Sequence, residues 1–176
     1  MVRVLVKIKD EPCLVTEAIE RMRELCTGAD VFEFGSGGST VWLARIAARL
    51  ISVEDDPAWH KAVKEALLNH GYPGVEVKLA TSGKLPDAID GTGLWDVVFV
   101  DCWTQNGRRR SIFKGAPHVK PGGWLIADDY NFPKTNKAVE GLRTAGWDVS
   151  IVSGIELHPL RNVPVKTSTA FCCKPR

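Results

Sequence analysis

Residues 31–40 read VFEFGSGGST: an apolar run holding one carboxylate, then glycines and hydroxyls. With Asp30 in front, DVFEF has the composition of a buried strand, and it empties directly into GSGGS. Glycines at 35, 37 and 38 allow a tight turn and close backbone approach. Ser36, Ser39 and Thr40 offer hydroxyls and amides where the next helix begins, a place suited to a polar ligand. The following STVWLARIAARL sets Trp42 and Ile46 on one side and Arg45 and Arg49 on another, which predicts an amphipathic helix. Strand, glycine loop and helix in that order are the opening unit of an α/β sheet.

The same unit recurs outward from it. LISVE reads as a second strand, Asp56 as a helix cap and Pro57 as a first-turn residue. Trp59, Ala62, Val63, Ala66 and Leu67 form a helical stripe that stops at Gly71. VEVKL, LWDVVFVD, GGWLIAD and WDVSIV supply strands three to six, with RSIFKGAPHV and KTNKAVEGLRTAG as helices between the later ones. Near-continuous apolar strands imply burial on both faces. TSGKLPDAIDGTG carries breakers at Gly83, Pro86, Gly91 and Gly93, so only a short helical turn is expected over residues 86–90.

Upstream, Val15, Ala18, Ile19, Met22 and Leu25 predict a helix, with Pro12 in its first turn and Gly28 as its stop. Downstream, GIELHPLRNVPVK holds two prolines and predicts a long loop, after which TSTAFCCK returns as a seventh strand antiparallel to the sixth. The expectation is therefore an α/β, doubly wound, mostly parallel seven-stranded sheet with helices on both faces and its last strand antiparallel. It forms one domain over residues 1–176, with 1–28 as an N-terminal strand and helix extension and 29–176 as the core. VRVLVKI alternates like a strand but has no partner in this plan, so it either pairs with another subunit, giving a homodimer through this strand, or covers a sheet edge.

The bulk numbers exclude several classes. A 176-residue chain of 44% hydrophobic and 25% charged residues has the composition of a globular domain, not of a disordered chain. A net charge of +2 argues against a general nucleic-acid coat and leaves only local patches, without naming a partner. No apolar run approaches the roughly 18 residues a membrane span needs, so no membrane partner is expected. Five cysteines without paired CxxC spacing fit a reducing, cytoplasmic setting.

Two residues decide what the glycine loop can hold. The dinucleotide fingerprint needs glycine six positions on from Gly35, counting it as the first, where this chain has Thr40. Glu33, beside the loop, repels a pyrophosphate and suits a ligand carrying an ammonium or sulfonium. E-F-G-S-G-G-S, Glu54 at the end of the second strand, WDVVFVD and KPGGWLIADD together resemble the S-adenosylmethionine-dependent methyltransferases of Rossmann type, from about Asp30 to Asp129, with a pattern closest to small-molecule O-methyltransferases. The resemblance implies S-adenosylmethionine as donor. Glu33, Gly35, Ser36 and Gly37 would line its methionine part, with Phe34, Ser39 and Thr40 also in the donor site, Glu54 would accept both ribose hydroxyls, and Asp55 or Trp103 could contribute at the adenine. Ala80, Thr81 and Ser82 would be near the adenine and Asp101 near the amino end. Glu54 follows Gly35 by 19 residues, close to the spacing of a ribose acid.

Asp101 closes the fourth strand and Asp128 and Asp129 the fifth, on strands about 4.8 Å apart. ADDYNFP and VDCW resemble the O-methyltransferases in which such acids bind a divalent cation, with Asn131 or Asn106 as a further oxygen. The same resemblance expects an acid two residues after Asp101, where this chain has Trp103. The alternative is that no metal is held, one acid caps a helix and another meets the donor's amino end. Asp101, Asp128 or Asp129 then serves as general base, ahead of His118 or His158. Trp103 and Tyr130 are candidate acceptor contacts. GRRRS sets three arginines at the start of a predicted helix, where the macrodipole disfavours them, so Arg108, Arg109 or Arg110 is expected to meet an anionic acceptor. The expected activity is methyl transfer to an oxygen, or else a nitrogen, of a small acceptor. A donor-binding scaffold without turnover and a nucleic-acid methyltransferase are the alternatives, the latter without an N/D-P-P-Y/W tetrad in this sequence.

Overall fold

Asp30–Phe34 forms β1 near the middle of a seven-stranded sheet whose spatial order is β3-β2-β1-β4-β5-β7-β6. The computed structural model describes residues 8–81, 83–157 and 164–176. Its other strands are β2 (Arg49–Glu54), β3 (Glu76–Leu79), β4 (Trp95–Val100), β5 (Val119–Ala127), β6 (Asp148–Leu157) and β7 (Pro164–Cys173). β1 to β5 run parallel, and β7 lies antiparallel between β5 and β6. The helices are α1 (Thr16–Cys26), α2 (Gly38–Leu43), α3 (Pro57–Asn69), α4 (Gln105–Gly115) and α5 (Pro133–Thr144). Short 3-10 turns occur at Leu85–Ile89 and Ala116–His118.

Alternation along β1 sorts the two cores. Phe32 and Phe34 pack with Val98, Val100, Ile112, Ala138 and Leu142, the side covered by α4 and α5. Val31 packs with Val97, Phe99, Met22, Trp42 and Leu43, the side covered by α1 and α2. Each aromatic or aliphatic side chain so buried contributes about 1.5–3 kcal/mol. Glu33, two residues on from Val31, belongs to the second face by the pleat and is forced beneath α2.

The doubly wound sheet and its antiparallel last strand are as expected, and local boundaries account for the differences. α1 starts at Thr16, leaving Pro12 ahead of the helix. α2 ends at Leu43, far short of STVWLARIAARL, because the chain turns to place the Ala48 and Arg49 amides on the Ala29 carbonyl and start β2. The helix expected over RSIFKGAPHV begins earlier, at Gln105, because the Thr104 hydroxyl accepts from the Gly107 amide and caps it.

In the loop expected after Ser153, the described residues 154–157 and 164–166 are strand. β6 and β7 pair without a break from Asp148↔Cys173 to Leu157↔Pro164, and Pro164 stands at the first position of β7, where a proline is tolerated. β7 shares only Trp124↔Cys173 to Ala127↔Ala170 with β5, so the rest of this hairpin projects past the carboxyl edge of the sheet. Residues 9–15 cross that edge. The Lys9 carbonyl would lie 2.9 Å from a Cβ at Gly38, and Val15 packs against Gly154 of the hairpin. The strand expected over Val2–Ile8, and the dimer built on it, fall outside the described residues except for Ile8, which packs near Val41, Val63, Leu67 and Val77.

Candidate active site

The parallel strands bring Gly35, Glu54, Asp101 and Asp128 to one edge of the sheet. Gly35 has φ +90°, and a Cβ there would lie 2.6 Å from the Asp101 carbonyl and from the Cys102 backbone. Only glycine serves both demands, so the loop is pressed against the end of β4. From there the chain extends through Gly37 into α2.

Glu33 is fully buried, and its carboxylate faces into the protein under this loop. Oε1 accepts from the Ser39 hydroxyl at 2.5 Å, and Oε2 accepts from Thr40 at 2.5 Å and Ser52 at 2.6 Å. The Thr40 hydroxyl also accepts from the Gly37 amide at 2.8 Å, so the residue standing where the fingerprint has glycine bolts the loop to the acid below. Burial pushes the Glu33 carboxyl up to about 7, against the pull of the three hydroxyls. Ser52 was not singled out from sequence, although a lone hydroxyl in LISVE standing in register with Glu33 was the available signal.

Glu54 is 7% exposed and stands at the rim. Its Oε2 accepts from the Ser36 amide and hydroxyl, both at 3.1 Å, and its Oε1 from the Asp55 and Asp56 amides at 2.9 and 3.0 Å. Burial raises its pKa and the backbone amides oppose the rise. Trp59 of α3, read from sequence as stripe only, reaches over to donate from Nε1 to the Ser36 carbonyl at 2.6 Å. Asp55 is exposed, Ala80 donates its amide to the Glu54 carbonyl, and Ser82 lies outside the described residues.

The other half of the edge is organised by Arg108. Its Nη2 donates to Asp101 Oδ1 at 2.7 Å and lies 2.8 Å from Asp129 Oδ2, while Nη1 donates to the Trp103 carbonyl at 3.3 Å. Its Nε is buried without a hydrogen-bond partner. Asp129 has φ +55°, a left-handed conformation that Asp tolerates and that accumulates at functional sites. Asp128 is directed elsewhere. Thr169 donates to its Oδ1 at 2.9 Å, and burial followed by the charges of Asp101 and Asp129 pushes its pKa well above the carboxylate range. Burial also raises Asp101, against the opposing charge of Arg108.

The three arginines therefore do not converge. Arg109 is exposed with its guanidinium 5.8 Å from the Phe113 ring, and Arg110 donates to the Gly83 carbonyl. They also start at the fourth residue of α4, so the first-turn conflict with the macrodipole does not arise. Trp103 is 81% exposed beside the site. Tyr130 gives its hydroxyl to Glu140 of α5, and Asn106 accepts from Lys134. Cys102 is buried and its thiol is pushed up to about 12, chiefly by that burial, which makes it a poor nucleophile.

Among the described residues no group of three or more His, Cys, Asp or Glu side chains could hold a metal ion. Asp101, Asp128 and Asp129 do not assemble the expected cation site, because Asp128 is turned to Thr169 and a guanidinium nitrogen stands between the other two. The donor set does not fit a metal. Among the described residues no helix is long and apolar enough to cross a membrane.

A glycine loop on β1, an acid ending β2 and the strand order β3-β2-β1-β4-β5-β7-β6 define a Rossmann-like α/β domain of the methyltransferase type. Residues 32–130, more than half of the chain, match the family model of a methyltransferase domain, and the protein belongs to that family. Three solved structures are similar to it. The precorrin 8W decarboxylase of Methanobacterium thermoautotrophicum has 21% identity and a TM-score of 0.68, covering 94% of this chain and 92% of its own. The precorrin-6y C5,15-methyltransferase of Geobacter metallireducens has 13% and 0.71, covering 99% and 97%. An O-methyltransferase of Bacillus cereus, solved in complex with SAH, has 16% and 0.67, covering 87% and 77%. At these identities the likeness is one of fold. No curated protein matches the sequence. The resemblance read from the glycine loop and the strand-end acids is borne out at the level of the family.

Proposed function

We propose that the protein transfers a methyl group from S-adenosylmethionine to an oxygen of a small acceptor. The observation that carries this reading is Glu54, a buried rim carboxylate that among the described residues accepts from neutral groups and stands beside a glycine turn too tight for any other residue. Ser36 occupies the Oε2 atom that a ribose hydroxyl would take, and its side chain can rotate away while the Asp55 and Asp56 amides keep Glu54 in place. The glycine turn would face the methionine end, with Asp101 toward the ammonium.

The bound donor supplies an electrophilic methyl on a sulfonium, and passing it to oxygen leaves a neutral thioether and one proton to be removed. Asp101 and Asp129 are the carboxylates available to take that proton. Two carboxylates against one guanidinium leave a net negative charge for this purpose. The chain's main contribution is positioning. Beside these acids lie Trp103, whose carbonyl accepts from Arg108, and β7, whose Ser168 carbonyl accepts from the Tyr130 amide and whose Thr169 donates to Asp128. An anionic acceptor would have to be met by Arg109, since Arg108 is committed to its two acids.

Titration calorimetry with S-adenosylmethionine is expected to give micromolar or tighter binding, weakened in Glu54→Ala. Absence of binding to the wild type overturns the reading. Methyl transfer to a panel of hydroxylated small molecules, with an amine panel as contrast, then tests the oxygen.

A further inference from the structure

We propose that Arg108 is a built-in cation that takes the place of a divalent metal at the acceptor half of the site. A single nitrogen, Nη2, lies 2.7 Å from Asp101 Oδ1 and 2.8 Å from Asp129 Oδ2, so it stands where an ion shared by the two carboxylates would stand. Hard divalent cations collect carboxylate oxygens at comparable or shorter distances, and this acid pair would attract one if the nitrogen were removed.

The chain folds to put the guanidinium there. Thr104 caps α4, so Arg108 lies at its fourth residue, and helical side chains tilt toward the N-terminus. That tilt carries Arg108 back onto Asp101, seven residues earlier in sequence. The side chain is 8% exposed, and its Nε has no partner. Burying a charge with one donor unsatisfied is poor design for stability alone, because desolvation offsets much of the attraction. A broken local rule at the carboxyl edge of the sheet points instead to function.

A guanidinium differs from a metal in three ways that matter at this place. It cannot be lost to a chelator, and it remains charged at every working pH. It also carries one charge where a divalent ion carries two, so the Asp101–Arg108–Asp129 group stays net negative where a metal would leave it neutral. A carboxylate in such a group can still accept the acceptor's proton. The consequence for turnover rests on the donor-dependent reaction proposed above, whereas the ion-binding consequence does not.

The test is a manganese chloride titration followed by electron paramagnetic resonance, with donor affinity and circular dichroism measured on the same samples. Wild type is expected to bind no manganese at these acids. Arg108→Met and Arg108→Gln, of similar length without the charge, are expected to bind it there, at least tenfold more tightly than any residual binding of wild type, and adding Asp129→Asn is expected to remove the gain. Manganese binding by wild type that disappears in Asp129→Asn overturns the proposal with no arginine variant needed, as does a folded Arg108→Met that gains nothing. If both arginine variants fail to fold, the wild-type titration against Asp129→Asn decides. Loss of donor binding by wild type would sink the proposed function and leave the manganese result readable.

Discussion

Glu33 and Glu54, at the β1 and β2 side of the edge, and Asp101 and Asp129, at the β4 and β5 side, are four carboxylates in one site handled by two different means. The first pair accepts from neutral donors: three hydroxyls under Glu33, and the Ser36, Asp55 and Asp56 groups around Glu54. The second pair is bridged by one guanidinium. Around Glu54 the neutral donors fix the carboxylate's position while leaving its charge for a ligand, as a rim acid facing a nucleoside requires, whereas burial beneath the loop raises Glu33 to about 7 and makes it a structural acid. An internal cation sets the charge of its half before any ligand arrives. The donor half is thus built to recognise, and the acceptor half to hold a fixed electrostatic environment.

The most damaging way to break this division is at the seam. Gly35→Ala combines a left-handed φ with a Cβ 2.6 Å from β4 backbone, and it is expected to destabilise the fold by about 3 kcal/mol or more while abolishing donor binding. Denaturant unfolding and calorimetry measure the two effects. A folded, donor-binding variant would show that the loop can leave β4 without loss.

The next effect depends on pH. Glu33 has its pKa raised to about 7 in the folded protein from 4.5, so the folded state holds a proton that the unfolded state has released. Its contribution is complete below pH 4.5 and is lost as pH rises through about 7. Glu33→Gln carries no such titration, and its stability relative to wild type is expected to improve by up to about 3 kcal/mol between pH 4.5 and pH 8. A difference that stays constant with pH would mean that the acid is not held neutral beneath the loop.

How far sequence alone reached follows from the same division. The strands, the glycine turn and the rim acid Glu54 were legible because each rests on a local pattern: apolar runs, φ-permissive residues, an acid at a strand end. The partners were less so. That Glu33 lies under the loop follows from the pleat it shares with Val31, and its third hydroxyl, Ser52, becomes visible only when β1 and β2 are set in register. The fate of Arg108 depended on where α4 starts, which the Thr104 cap decides several residues before the apolar part of that helix. The extent of the β6–β7 pairing was hidden because the prolines of this stretch read as loop, whereas at Pro164 pairing with a neighbour overrode that preference.

Glu54→Gln sharpens the donor half alone. It removes a charged acceptor of hydrogen bonds and is expected to weaken S-adenosylmethionine about tenfold to a hundredfold, matching about 1.5–3 kcal/mol for bonds to an ionised group. The acceptor KM at saturating donor should change far less. Equal losses in both would mean that the two halves are not independent.

Trp59→Phe probes the same independence with the smallest perturbation. The indole Nε1 donates to the Ser36 carbonyl at 2.6 Å, and the Ser36 amide and hydroxyl are the groups lying on Glu54 Oε2. Phenylalanine keeps an aromatic ring for packing near Val41 and Val63 and removes the donor with the smaller ring of the indole. One neutral hydrogen bond is worth about 1 kcal/mol net, so donor affinity should fall about fivefold. Since the indole's hydrogen bond runs to Ser36, on the donor half, the manganese titration and the acceptor KM should stay at wild-type values. If the acceptor KM moves while donor affinity does not, the indole bond governs the shape of the whole edge and the separation into two halves fails at its weakest contact.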